Sequence, residues 1–124
     1  VIDPRDISAV AVTALLTDDH DNQAYTLTGP ELLTTADQVA RLSDVLGRPL
    51  RTFDEPDSAV RAEFLRQGMS DEFVDVVMKG WEYVREGGLA VLTEDVERAL
   101  GRPATSYKQW ATDHAAQFRQ AVNA

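Results

Sequence analysis

Two histidines, three tyrosines and several carboxylate pairs are the residues whose types could carry chemistry in this 124-residue sequence. His20 stands among acids in "DDHDN", which superficially resembles a cation-binding loop. The stretch lacks the sharp-turn glycine and the distal glutamate that such a calcium loop requires. His114 falls on the apolar face of an expected helix, the usual place of a core or boundary histidine. With two histidines and no cysteine the ligand set of a zinc site is missing, and no metal ligand is assigned. Asp71/Asp75 and Glu94/Asp95 fall in or near expected first helical turns, where interaction with the positive helix end accounts for them without acid–base work. Tyr83 is followed four residues on by Gly87, and Tyr107 directly by Lys108, so the Tyr-x-x-x-Lys pair that polarises a carbonyl is absent. No Gly-rich phosphate loop follows a strand, and the pair Gly87-Gly88 follows a helix instead. No catalytic and no cofactor-binding residue is assigned.

Composition narrows the field further. The length is that of a single domain, 1–124, long enough to bury a core without disulfides. Hydrophobic residues at 44% and charged residues at 27% are ordinary globular values. A net charge of −9 disfavours a phosphate backbone as partner, so nucleic acid is not expected. No apolar run reaches the ~18 residues of a membrane span, no signal-peptide pattern stands at the start, and no membrane partner is expected. The absence of cysteine is compatible with a cytoplasmic location.

The elements that must position these residues follow from periodicity and punctuation. Asp3-Pro4-Arg5-Asp6 has the order of a helix start, with Asp3 as cap, and Ile7, Val10, Ala11, Ala14 and Leu15 then predict one buried face. "AYTLT" (24–28), stopped by Gly29-Pro30, and "PLRTFDE" (49–55) read as short strands. Between them Thr35 and Gln38 have capping-box spacing for a helix carrying Val39, Leu42 and Leu46, closed by Gly47. Asp57 or Ser58 starts a helix with Val60, Phe64 and Leu65, ending at Gly68. Ser70 starts the next, with Val74, Val77, Met78, Trp81 and Val84 as its stripe. Thr93-Glu94-Asp95 opens a short helix ending at Gly101. Thr105 or Ser106 opens the last, with Tyr107, Trp110, Ala111, His114, Phe118, Ala121 and Val122 on its face. "LGRP" at 46–49 and 100–103 is one stop signal used twice. The expected fold is mostly α with a minor β component: about six helices and two short parallel strands. Such a sheet is under-strength standing alone, because parallel sheets are normally covered on both faces.

Three stretches resemble the C-terminal, substrate-binding part of NmrA-like atypical short-chain dehydrogenase/reductases: "VIDPRDISAVAVTALL", "AYTLTGPELLTTADQVARLSDVLGRPL" and "LTEDVERALGRPATSYKQWATDHAAQF". The resemblance runs from Val1 to about Phe118. It implies an NAD(P)H-dependent oxidoreductase, quinone- or azo-reductase-like or a related carbonyl reductase, whose N-terminal Rossmann half holds NADP or NAD. This chain, lacking the Gly-rich loop, is then expected to bind no cofactor alone and to be incomplete as an enzyme. Val1 and Ile2 read as an internal joint rather than a true start. On the same resemblance the stretch 64–84 faces the substrate cleft, and Met69, Phe73 and Trp81 are candidates for an apolar wall against a flat or acyl substrate. The same spacing of Met and aromatics also describes plain core packing. The expected partners are a small apolar or aromatic substrate and either the missing Rossmann half or a second copy met through an exposed apolar face. The other reading is a non-enzymatic NmrA-like redox-sensing or small-ligand-binding module.

Overall fold

The computed structural model describes the backbone of residues 1–121 and the side chains of residues 1–119, so Val122 and the Ala121 side chain, both expected on the last helical face, lie outside the described residues. Among these residues there are seven α-helices and one 3-10 turn: α1 (Pro4–Leu16), the turn Asp18–His20, α2 (Thr35–Leu46), α3 (Asp57–Arg66), α4 (Asp71–Arg85), α5 (Asp95–Leu100), α6 (Tyr107–Asp113) and α7 (Ala115–Ala121). The chain divides into two compact units, residues 1–52 with 91–124, and residues 53–90.

The expected minor β component, two short parallel strands, is not present: the described residues contain no strand. Residues 24–28 lie outside any regular element, and side chains take the bonds a ladder would make. Thr26 N–H donates to the Asp95 carboxylate at 2.6 Å, and the Thr93 hydroxyl donates to Thr26 C=O. Thr93 N–H in turn donates to Thr28 Oγ1 at 3.0 Å. In 49–55, Ser43 Oγ donates to Arg48 C=O and accepts from Leu50 N–H, which closes the C-terminal end of α2 instead of starting a sheet. Residue type favours an extended backbone, but a strand exists only with a partner strand in register.

In the larger unit α1 packs on α5, and α2 on α6 and α7. Its buried apolar residues are small: Val10, Val96, Ala99, Ala111 and Ala115. Asp3 caps α1 as expected, accepting from Arg5 N–H at 2.8 Å. The capping box of α2 falls one residue before the expected position, with Thr34 and Asp37 exchanging bonds. A charged carboxylate is the stronger acceptor there, and Gln38 turns away to Leu33 C=O. Gly47 and Gly101 adopt left-handed conformations with φ of 64° and 67°, as both "LGRP" stops require. The expected last helix is two, α6 and α7, separated at His114, whose Nδ1 sits 2.7 Å from Trp110 C=O.

One expected face is rotated. Val10 is buried, but Ile7, Ala11 and Leu15 point outward. The inner arc of α1 is Asp6, Ala9, Val10, Thr13 and Ala14. α1 is apolar nearly all round, so periodicity alone leaves its rotation open. Asp6 settles it, because its carboxylate must reach Thr105 and Arg102.

The smaller unit is a hairpin of α3 and α4. Pro56 stands at the α3 cap position without a side-chain bond, whereas Ser70 caps α4 by accepting from Phe73 N–H at 3.3 Å. Val74 on α4 is fully buried.

Candidate functional site

The residues singled out for a substrate wall, Met69, Phe73 and Trp81, all belong to this hairpin. Met69 N–H donates to Phe64 C=O at 3.1 Å as α3 ends, which places Met69 half-buried just ahead of the Ser70 cap. Arg61 on α3 bridges Asp71, at 2.8 Å, and Asp75 on α4. These two carboxylates raise the Arg61 pKa and fix the α4 start against α3. At the other end Arg85 meets Asp57 at 3.3 Å.

At 100° per residue Asp71, Glu72, Asp75, Lys79 and Glu82 of α4 share one arc, and the rest is apolar except for Arg85, which falls beside Val74 and meets Asp57 of α3. Val74 and Trp81 lie on the part of that apolar arc turned toward α3, where Trp81 packs on Phe64 with ring centroids 5.6 Å apart. Phe73, Val76, Gly80, Tyr83 and Val84 form a neighbouring stripe open to solvent; Phe73 is 55% and Val76 69% exposed. A helix with apolar residues over so wide an arc buries more than one side. The structure therefore places Phe73 on an open apolar stripe and Trp81, itself 43% exposed, beside Phe64 of α3, with Met69 half-buried ahead of α4.

Polar chemistry collects instead in the larger unit. Asp3 and Asp6 are buried at the start of α1. The Arg5 guanidinium bonds both Asp3 and Asp113, at 2.7 Å each, and holds both carboxyls below the usual range. Asp6 accepts from Thr105 N–H (2.6 Å) and Thr105 Oγ1 (3.2 Å) and forms an ion pair with Arg102 (2.8 Å). A hollow of about 290 Å³ opens beside this network, lined by Asp3, Gln38, Ser106, Tyr107 and Trp110, and the Trp110 ring stacks on His114 at 4.8 Å. A second hollow, about 470 Å³, lies between Pro30, Leu92, Val96 and Pro103, with Glu94 and Glu97 at its wall. The carboxylates of the Asp3–Asp6 network are all committed to cations or N–H groups, which makes it an anchor rather than an acid–base centre. Sequence reading took Asp3 and Asp6 as helix-start residues and missed this network. Its partners lie 99 residues away, and no local spacing announces them.

His20 points to neither hollow; its Nδ1 lies 2.7 Å from the Tyr25 hydroxyl. Among the described residues no three of His, Cys, Asp or Glu converge as metal ligands, and no helix is long and apolar enough to cross a membrane.

No family model matches the chain. It is 38% identical over 117 residues to a (4-alkanoyl-5-oxo-2,5-dihydrofuran-3-yl)methyl phosphate reductase of Streptomyces griseus. It is 37% identical over 117 residues to an NAD(P)H azoreductase of Xenophilus azovorans. The relatives are reductases. Each match covers 94% of this chain and 41% of the relative, so the chain spans about two fifths of the length of these proteins. Among solved structures, the triphenylmethane reductase of Citrobacter sp. superposes with a TM-score of 0.68 at 16% identity, over 90% of this chain and 40% of that one. The described architecture is thus a fold found within a known reductase.

Among the described residues, four helix starts are poorly suited to a dinucleotide's pyrophosphate. A pyrophosphate sits on a glycine-rich turn at a helix N-terminus, where backbone N–H groups and the dipole favour negative charge. Here α1, α2, α3 and α4 each carry an acidic residue in the first turn: Asp6, Asp37, Asp57, and Asp71 with Glu72. Their N–H groups are already directed at Asp3, Thr34 and Ser70 in three of the four.

Proposed function

We propose that this chain is the substrate-side part of an NAD(P)H-dependent reductase of the NmrA-like type, with the dinucleotide held by residues outside its 124. The carrying observation is the collinear match over 94% of the chain to reductases more than twice its length. The acidic first turns of α1 to α4 support placing the cofactor elsewhere. In this reading Met69 and Phe73 form the apolar wall against a flat or acyl substrate, and Trp81 stiffens the wall from behind through Phe64. An aromatic ring and a thioether suit a planar acceptor, since ring faces stack and methionine adapts to shape.

Titrating the chain with NADPH tests the cofactor half of this proposal. No saturable binding is expected below millimolar concentration, and a micromolar dissociation constant would overturn it. The coding sequence flanking Val1 tests the domain half: a strand, Gly-rich loop and helix in frame is expected, and an unrelated sequence removes the reading's support. For the wall, Phe73→Ala should weaken binding of a planar naphthoquinone several-fold. Equal affinity in the variant and the parent chain would remove Phe73 from the site.

A further inference from the structure

We draw no further inference here: the strongest candidate, the solvent-open apolar stripe of α4 formed by Phe73, Val76, Gly80, Tyr83 and Val84, belongs to the substrate wall already proposed, and nothing in the structure shows what covers it.

Discussion

Asp6 is cut off from solvent and satisfied entirely by groups 96 to 99 residues away, Arg102 and Thr105. A buried carboxylate is tolerable only with such partners, and its removal strands them. Asp6→Ala leaves Thr105 N–H without its acceptor, while half-exposed Arg102 recovers water, so the expected loss is about 2–3 kcal/mol in urea unfolding. A loss under about 0.5 kcal/mol would show that Thr105 and Arg102 find other partners. Asp3 and Asp113 supply a pH dependence of known sign. Arg5 lowers both carboxyl pKa values, so these groups stabilise the native state above the ordinary carboxylate range near pH 4, and that contribution disappears as pH falls through their native values. Unfolding midpoints should hold from neutrality to about pH 5 and fall below it, and Asp113→Asn should make that acid-side fall shallower.

Helix boundaries were the most legible part of the sequence, because caps and stops are local chemistry. Asp3, Ser70 and Ser106 cap α1, α4 and α6, and Gly47 and Gly101 close α2 and α5. Ser70→Ala should cost about 1 kcal/mol, measured by the thermal or urea midpoint. The strands were not legible, because a strand is a statement about a neighbour. Gly29 shows the difference: read as a strand stop, it is a site of close approach. Its N–H donates to Val1 C=O at 3.0 Å, and a Cβ added there would lie 2.1 Å from that oxygen. Gly29→Ala must push the two backbone segments apart, with an expected cost of about 1–3 kcal/mol; a neutral effect on the urea midpoint would show that the Val1 segment yields freely.

At the scale of the molecule, the two units differ in how much they bury. The unit of residues 53–90 has Val74 as its one buried residue among those described, and polypeptides below about 40 residues seldom fold on one core without a staple. Hydrogen exchange should therefore show weaker protection in α3 and α4 than in α1 and α5, which hold Val10, Val96 and Ala99. Uniform protection across both units would contradict this. The proposed wall lies in the unit expected to show the weaker protection.

The sequence by itself determined most helix starts and stops, though not the break between α6 and α7 or the exact cap of α2, and it carried a reductase-like pattern along nearly the whole chain. These follow from residues within a few positions of one another, where capping bonds, glycine conformations and motif spacing act. Only the tertiary structure decided which side of a largely apolar α1 faces inward, that 24–28 bonds to side chains and 49–55 forms no strand, and that Phe73 stands open while Trp81 meets Phe64. Each of those depends on a partner distant in sequence or on a rotation that local pattern leaves free. In α1 one buried carboxylate, reaching across the chain to Thr105 and Arg102, made the choice.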